Sequence, residues 1–369
     1  MGLTAGIIGL PNVGKSTLFN AITKSKALSA NYPFATIEPN VGFVEIKDPR
    51  LKKLVDVIHP KSVVYTSFSF TDIAGLVKGA SLGEGLGNQF LSHIRDVDAI
   101  CHVVRCFDNP DIIHVNGKID PIFDIETINL ELIYADLDVI EKRIGKIEKK
   151  AQLKVDKDAV TEYNVLKKCQ DALKEGISIR DVPLTKEEKL SIKNYNFLSE
   201  KPMIYIMNVS EDDINEDNQY VLKVKEYSQK TNTKCIKICS KIEEELSELS
   251  EEEKELFLSD FGITEVGLDK LVTEAYDLLG LATFFTAGEK ECRAWTFKKG
   301  MKAPECAGVI HSDFEKGFIR AEVIAYSDFE EYGTMLKAKE AGKMRSEGKD
   351  YIFQDGDIAL FRFNVWDAK

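Results

Sequence analysis

The sequence predicts an α/β protein that carries a phosphate-binding loop, an inserted helical hairpin and a small C-terminal β domain. The first observation is a glycine-containing run, Gly9 to Thr17, that lies between an apolar strand pattern and a helix pattern. The second is a heptad spacing of apolar residues that starts at Leu130. The third is a change to short strand and turn patterns near residue 282. A chain of 369 residues is long enough for two domains.

The run from Gly9 to Thr17 fits the pattern G-x-x-x-x-G-K-[ST]. An apolar strand is predicted over residues 3–8, and a helix is predicted from Leu18. This order is typical of a loop that holds phosphates with backbone N–H groups and a helix N-terminus. We expect Lys15 to reach the β- and γ-phosphates and the Ser16 hydroxyl to bind Mg²⁺. The alternative is a tight strand-to-helix turn that binds nothing.

A second phosphate-site pattern follows a predicted strand over residues 63–70. It places Asp72 at the end of that strand and Gly75 three residues later. Asp72 would hold Mg²⁺ through a water, and the Gly75 N–H would contact a γ-phosphate. The pattern D-x-x-G is weak alone, but it gains weight after a phosphate loop in the same kind of strand context. A small-residue stretch at 78–87 predicts a loop that the phosphate state would order.

Two long helices are predicted next. Apolar residues at alternating spacings of three and four form the first stripe, which is Leu130, Ile133, Leu137, Ile140, Ile144, Ile147 and Ala151. The second stripe is Val160, Tyr163, Leu166, Cys169 and Leu173. We therefore expect a coiled-coil hairpin, inserted over residues 128–200, that projects from the sheet. Ordinary crossover helices are the alternative, but each pattern exceeds the usual helix length.

The sheet is predicted to resume after Pro202. One strand over 203–207 ends at Asn208, and another over 234–239 ends at Ser240. A glutamate-rich stretch at 243–255 predicts a solvated acidic helix without chemistry, and a last helix is predicted over 267–279.

Short strands at 293–297, 317–324 and 358–363, with a hairpin signal at Asp355-Gly356, indicate a second domain. We assign residues 1–281 to the first domain and 282–365 to the second.

Composition limits the possible functions. The net charge of −12 disfavours simple nonspecific binding to nucleic acid, although two local basic runs exist. They are Lys142, Arg143, Lys146, Lys149, Lys150, Lys154 and Lys157, and then Lys337, Lys339, Lys343, Arg345 and Lys349. Each run is either a solvated helix face or a contact for RNA. Seven cysteines without a C-x-x-C pair, no long apolar run and no signal-peptide pattern predict a cytoplasmic protein that does not enter a membrane.

Together these residues resemble the YchF or Obg-like ATPase family, a branch of the Obg-related P-loop GTPases. The motifs that carry the resemblance are GLPNVGKST, YPFATIEPNVG, DIAGLVKGAS, GLGNQFLSHIR, NVSE at 208–211 and FFTAGEKECRAWT, and they cover essentially the whole chain. The resemblance implies a Ras-like nucleotide domain with a coiled-coil insertion and a C-terminal TGS domain of β-grasp type.

The same resemblance assigns roles to residues. The implied phosphate contacts are Asn12, Val13, Gly14, Lys15, Ser16 and Thr17, with Gly75 from the second switch. The implied metal ligands are Ser16, Thr36 and Asp72. The implied base-site residues are Asn208, Val209, Glu211 and Ser240. Asn12 occupies the position where several relatives coordinate K⁺, so we also expect K⁺ to stimulate turnover.

The base site departs from the guanine-specific pattern N-K-x-D, which does not occur in this chain. The corresponding segment ends in Glu211, whose carboxylate lies one methylene farther from the backbone than that of Asp. Adenine offers no N1–H to a carboxylate, whereas Asn208 can pair with adenine N6 and N7. The sequence therefore predicts ATP over GTP, with weak GTP hydrolysis possible. The alternative is that Asn208 and Glu211 merely cap the strand end.

Water activation also departs from the Ras pattern, because Leu76 follows D-x-x-G where Ras-type enzymes carry Gln. The family resemblance suggests His114 as the catalytic residue, since a neutral imidazole can orient or partly deprotonate water. The alternatives are a structural histidine and a catalytic group supplied by a partner.

These observations predict a Mg²⁺-dependent ATPase that works as a molecular switch, and we expect a monomer. By resemblance, the protein contacts the ribosome, at the large subunit or the subunit interface, and regulates translation or the stress response. Two other functions stay open: a GTPase of ordinary specificity, and an adaptor that binds nucleotide with slow turnover.

Overall fold

A computed structural model describes residues 3–25, 40–73, 86–112, 117–153 and 156–364. These residues divide into two compact units. The first unit comprises Met1–Val44 and Ser69–Leu271, and the second comprises Glu45–Phe68 and Val272–Lys369. In the described residues, no helix combines the length and apolar character that a membrane span requires.

Strands and helices follow one another along the described residues. In chain order, the strands are β1 (Thr4–Ile8), β2 (Val41–Ile46), β3 (Ser62–Val64), β4 (Thr66–Asp72), β5 (Ala99–Arg105), β6 (Met203–Asn208), β7 (Lys234–Ile238), β8 (Leu281–Ala287), β9 (Glu291–Lys298), β10 (Phe318–Ile324), β11 (Arg345–Glu347) and β12 (Ile358–Phe363). The helices are α1 (Lys15–Ser25), α2 (Pro49–Ile58), α3 (Leu86–Asp96), α4 (Pro121–Gln152), α5 (Lys157–Lys174), α6 (Lys186–Ile192), α7 (Gln219–Lys230), α8 (Ser240–Leu246), α9 (Glu251–Asp260), α10 (Gly267–Leu278), α11 (Ala303–Ile310), α12 (Ser312–Lys316), α13 (Tyr326–Tyr332) and α14 (Met335–Glu340).

A six-stranded sheet with the order β2-β4-β1-β5-β6-β7 forms the centre of the first unit. β1 runs parallel to β4 and β5, and β6 runs parallel to β5 and β7. β5 and β6 are buried along their whole lengths, as expected for central strands of a parallel sheet. The carboxyl ends of β1, β5, β6 and β7 therefore lie along one edge, where α/β sheets of this kind place their ligand sites.

The predicted hairpin forms from α4 and α5. Asp120 begins α4 by accepting a hydrogen bond from the Phe123 N–H, and Asp156 begins α5 in the same manner. The two helices share an apolar seam with buried residues Ile133, Ile140, Ile144, Ile147, Val165, Leu166, Cys169 and Leu173. The seam confirms the heptad prediction from Ile133 onward, whereas Leu130, the first residue of the predicted stripe, is 40% exposed. A capping box of Thr185 and Glu188 begins α6.

A second six-stranded sheet has the order β11-β10-β12-β8-β9-β3 and belongs to the second unit. Its core is rich in aromatic residues, among which Phe284 contacts Trp295, Phe297, Phe353 and Phe361. The strands expected near 293–297, 317–324 and 358–363 are confirmed as β9, β10 and β12. Asp355-Gly356 forms a turn before β12, but β12 pairs with β10 and β8, so the turn does not close the predicted hairpin.

Residues 45–68 lie in the second unit, although the sequence places them inside the first domain. β3 pairs with β9, and Leu51 and Leu54 of α2 pack in one cluster with Phe285 and Cys292. The strand predicted over 63–70 is consequently two strands, β3 and β4, that join different sheets. The domain boundaries at 1–281 and 282–365 therefore stay a prediction. The two compact units differ from them because residues 45–68 pack with the second unit.

The prediction of one solvated acidic helix over 243–255 is wrong. The chain forms α8 and α9 instead, and a capping box of Ser250 with Glu253 begins α9. Glu243 is buried, and its carboxylate accepts hydrogen bonds from the N–H groups of Gly267 at 2.8 Å and Leu268 at 3.2 Å. These bonds cap the N-terminus of α10. Burial raises the pKa of Glu243 to about 7.

Candidate functional site

A cavity of about 940 Å³ lies in the first unit beside the run from Gly9 to Thr17. The segments at the carboxyl ends of β1, β5, β6 and β7 and the first turn of α1 line it. The lining residues are Leu10, Pro11, Asn12, Gly14, Lys15, Ser16, Thr17, Phe107, Asp108, Asn109, Ile112, Asn208, Val209, Ser210, Glu211, Cys239, Ser240, Lys241 and Glu244. This size is in the range of pockets that hold cofactors and nucleotides.

The glycine loop has the backbone that its sequence predicts. Asn12 and Gly14 adopt positive φ angles of 64° and 93°, which turn the chain sharply between β1 and α1. A Cβ on Gly14 would approach Asn208 Nδ2 to 2.0 Å, so the neighbouring strand requires glycine there as well. Helix α1 then begins at Lys15, and its first residues line the cavity. Its N-terminal N–H groups and helix dipole favour an anion at this place.

Lys15 and Asp72 form an ion pair in which Lys15 Nζ donates to Asp72 Oδ1. The parallel register pairs Asp72 of β4 with Ile7 of β1, which brings the carboxylate beside the glycine loop. Both side chains are largely shielded from solvent, with exposed fractions of 11% for Lys15 and 22% for Asp72. The structure thus brings together the cation and the carboxylate that the sequence assigns to phosphate and Mg²⁺.

Asn208 joins the glycine loop to the segment after β7. Its side-chain Nδ2 donates to the Val13 carbonyl at 2.8 Å, and its Oδ1 accepts from the Ser240 N–H at 2.9 Å. A carboxamide has two N–H groups and two acceptor sites, so one of each remains for another partner. The Ser240 hydroxyl oxygen is buried and has no hydrogen-bond partner among the described residues. Val209 is buried and lines the cavity next to Asn208.

Glu211 lies at the rim of the cavity and is 37% exposed. Its carboxylate pairs with Lys241 Nζ, at 2.9 Å from Oε1 and 3.1 Å from Oε2. A neighbouring cation therefore already engages this carboxylate, unlike an Asp that would be directed at a guanine base.

The sequence analysis missed a third wall, which is formed by Phe107, Asp108, Asn109 and Ile112. This segment follows β5 directly, and β5 lies between β1 and β6 in the sheet. The available signal was the parallel order of the strands, because loops at the carboxyl ends of neighbouring strands meet at one edge.

Three residues with assigned roles lie outside the described residues: Thr36, Gly75 and His114. Among the residues that the structure describes, no group of three or more His, Cys, Asp or Glu side chains forms a ready-made metal site. Of the three residues assigned to Mg²⁺, the structure describes Ser16 and Asp72, whose oxygens are of the kind that Mg²⁺ prefers.

Comparisons with known proteins cover both halves of the chain. Residues 4–133 match the family model described as 50S ribosome-binding GTPase, and residues 281–364 match YchF-GTPase_C, described as a protein of unknown function. The chain is 60% identical to the ribosome-binding ATPase YchF of Bacillus subtilis (strain 168), over 99% of this chain and 100% of that protein. It is 52% identical to the ribosome-binding ATPase YchF of Escherichia coli O157:H7, over 99% and 100% of the two chains.

A solved structure gives the same result. The Schizosaccharomyces pombe YchF GTPase superimposes with a TM-score of 0.89 at 40% sequence identity, and the match covers 98% of each chain. The P-loop α/β fold with a C-terminal β-rich domain, predicted from the sequence, is therefore confirmed. Proteins named YchF match 98–99% of this chain at 40% and 60% identity, and the chain therefore belongs to the YchF family.

Proposed function

We propose that this protein is a nucleoside triphosphatase that prefers ATP, depends on Mg²⁺ and binds the ribosome in the cytoplasm. The observation that carries the proposal is the glycine loop with its Lys15–Asp72 pair, which opens on a cavity large enough for a nucleotide. Relatives that are 60% and 52% identical over their full lengths are named ribosome-binding ATPases, which supports ATP hydrolysis and ribosome binding.

The residues at the loop fit a triphosphate with Mg²⁺. Lys15 and the first N–H groups of α1 would bind the β- and γ-phosphates, and Asn12 to Thr17 would surround them. The Ser16 hydroxyl and the Asp72 carboxylate are the hard oxygen ligands that Mg²⁺ prefers, and Thr36 would add a third. When bound, Mg²⁺ would neutralise charge that develops on the transferred phosphoryl group. Lys15 and Asp72 form an ion pair at the glycine loop, which supports a phosphate and Mg²⁺ site there.

ATP preference rests on the base site. Asn208 keeps one N–H and one acceptor site, which is what adenine N7 and N6 require. Glu211 pairs with Lys241, and its side chain is one methylene longer than that of a guanine-reading aspartate. GTP is the second candidate, because the S. pombe relative is named a GTPase.

The experiment is competition of ATP and GTP against one fluorescent nucleotide in the same buffer with Mg²⁺. Tighter binding of GTP would refute the ATP assignment.

Two further roles stay proposals from the sequence. We expect His114→Ala to reduce kcat by about 10²-fold or more while nucleotide affinity stays near that of the wild type. A collapse of affinity would indicate that His114 is structural, and unchanged turnover would favour a group supplied by a partner. We also expect K⁺ to stimulate turnover through Asn12, and equal rates in Na⁺ and K⁺ would exclude this role.

The ribosome contact is proposed for the helical hairpin. Its basic run includes Lys142, paired with Asp138, and Arg143, paired with Glu162. Lys146, Lys149 and Lys150 are exposed, and none of them has an ion pair among the described residues. Unpaired surface lysines are available to contact RNA phosphates and release counterions.

A further inference from the structure

Arg105 is a buried cation at the carboxyl end of β5, where it pairs in register with Asn208 of β6. It is 1% exposed, which is rare for arginine unless a partner compensates the charge. The carboxylates of Asp108 and Asp124 favour its charge, whereas burial disfavours it. We propose that Arg105 is a positioning residue, which fixes the wall of the nucleotide pocket formed by residues 107–112 and thereby sets nucleotide affinity. This inference rests on the proposed function.

The guanidinium group of Arg105 donates hydrogen bonds to the wall formed by residues 107–112. Nε donates to the Phe107 carbonyl at 3.2 Å, Nη1 donates to the Ile112 carbonyl at 3.0 Å, and Nη2 donates to the Asn109 carbonyl at 3.2 Å. The guanidinium carbon also lies 4.7 Å from the centroid of the Phe107 ring, a cation–π distance. Three carbonyls of one six-residue segment thus converge on a single side chain. Burial lowers the pKa of Arg105, yet guanidinium stays charged in proteins.

The wall depends on such a side chain because it is not part of a helix or strand. Its carbonyls have no ladder of backbone partners, and buried carbonyls need donors. Other bonds hold the neighbouring backbone: the Tyr220 hydroxyl donates to Asp108 Oδ1 at 2.9 Å, and Asn218 Nδ2 donates to the Cys106 carbonyl at 2.8 Å. These bonds engage Asp108 and Cys106, and the Asn109 carbonyl also accepts from the Ile112 N–H at 3.3 Å. Arg105 is the side chain that ties the carbonyls of Phe107, Asn109 and Ile112 to one group.

Four residues of this wall line the cavity, namely Phe107, Asp108, Asn109 and Ile112. Their position relative to the glycine loop and Asn208 determines how closely the pocket encloses a nucleotide. Lysine cannot substitute fully, because its ammonium is a point donor and lacks the planar fork that reaches three separate carbonyls. The arrangement predicts that loss of the fork weakens nucleotide binding more than it slows the chemical step.

The test uses the full-length protein and compares Arg105→Met, Arg105→Lys and Arg180→Met. Arg180 is a matched control: it also donates to a backbone carbonyl, that of Lys201 at 3.1 Å, and burial also lowers its pKa, but it does not line the nucleotide cavity. The measurements are the dissociation constant of a fluorescent ATP analogue with Mg²⁺, KM and kcat for ATP, the Tm, and amide hydrogen exchange of residues 107–112.

For Arg105→Met we expect KM and the dissociation constant to rise about tenfold, with kcat within about threefold of the wild type. The reason is that the lost contacts would stabilise bound substrate and transition state equally. Hydrogen exchange at 107–112 should accelerate, and Arg105→Lys should be intermediate in every measurement. Arg180→Met should lower Tm without changing affinity.

Unchanged affinity in Arg105→Met and Arg105→Lys would overturn the proposal, as would equal loss of affinity in Arg180→Met. If Arg105→Met does not fold, Arg105→Lys decides by the same criteria. Failure of the wild type to bind either triphosphate would instead refute the proposed function.

Discussion

The carboxyl edge of the parallel sheet and the α4–α5 hairpin belong to the same unit but are built on opposite principles. At the sheet edge, separate loops each contribute a few polar groups, such as Lys15, Asp72 and Asn208. In the hairpin, one continuous seam buries aliphatic residues such as Ile140, Ile144 and Leu166. The edge contains positive φ angles, a partly shielded ion pair and a buried hydroxyl without a partner among the described residues, whereas the hairpin seam is mainly aliphatic.

This difference predicts that substitutions in the two regions affect different properties of the protein, namely nucleotide turnover and stability. Substitutions at the sheet edge should reduce nucleotide turnover while the fold survives, because the central strands hold the loops in place. Substitutions in the seam should reduce stability without directly changing turnover, because the seam contributes no lining to the cavity. Four experiments test this separation.

The largest effect should come from Lys15→Ala. Loss of the phosphate-binding cation should lower turnover about 10³-fold, since one electrostatic contact to a transition state contributes a factor of about 10²–10³. The measurement is phosphate release at saturating ATP with Mg²⁺. Lys24→Ala is the control, because Lys24 lies on the same helix and is 44% exposed at the protein surface. Comparable loss in both variants would mean that α1, and not the site, was damaged.

In the hairpin, Ile140→Ala should destabilise the protein by about 3 kcal/mol, because a fully buried aliphatic side chain leaves a cavity. Chemical denaturation measures this change, and turnover at low temperature should stay within about twofold of the wild type. Leu153→Ala, at a position that is 73% exposed, should have little effect. Loss of turnover in the folded Ile140→Ala variant would contradict the separation of the two regions.

The lysines on the outer surface of the hairpin contribute neither to the seam nor to the pocket. Their substitution should therefore change neither stability nor turnover, but only ribosome binding. The triple change of Lys146, Lys149 and Lys150 to Gln should weaken ribosome binding about tenfold at physiological salt, since phosphate contacts are lost. Co-sedimentation with ribosomes over a series of salt concentrations measures this. Gln at the exposed Lys186, Lys193 and Lys223 provides a control of equal charge. Equal loss in both triples would indicate a nonspecific charge effect.

The last prediction concerns Glu243, which caps α10 from helix α8. Its pKa is about 7 in the folded protein against an ordinary value of 4.5, so between these values the folded state binds more protons. Stability from this group should therefore be highest below about pH 4.5 and fall as pH rises to 7, by at most about 1.4 kcal/mol per pH unit.

The measurement is the urea midpoint of the wild type and Glu243→Gln at pH 5, 6, 7 and 8. Glu243→Gln cannot ionise, so its stability should decline less over this range. Glu252→Gln, at an exposed position on α9, should keep the wild-type slope. Parallel curves for the wild type and Glu243→Gln would show that Glu243 keeps its ordinary titration in the folded state.

The glycine loop and the hairpin were predictable because their patterns are local. A sequence of nine residues determines the loop from Gly9 to Thr17, and heptad spacing alone determines the seam of α4 and α5. The third wall of the pocket was not predicted, because residues 107–112 have no motif and join the site through the position of β5 in the sheet. The acidic stretch was misinterpreted because the burial of Glu243 depends on α10, which follows more than twenty residues later.

The amino-acid order alone determined that the protein has a phosphate loop, several buried strands, a helical hairpin and a β-rich C-terminal part, because each has a short-range periodicity or motif. Only the tertiary structure decided that residues 45–68 pair with β9, that Arg105 holds the pocket wall and that Lys15 lies beside Asp72. These arrangements bring together residues far apart in the chain, or depend on how a loop between helices and strands folds. Local propensity carries no information about such contacts, because burial and strand order arise only when the whole unit packs.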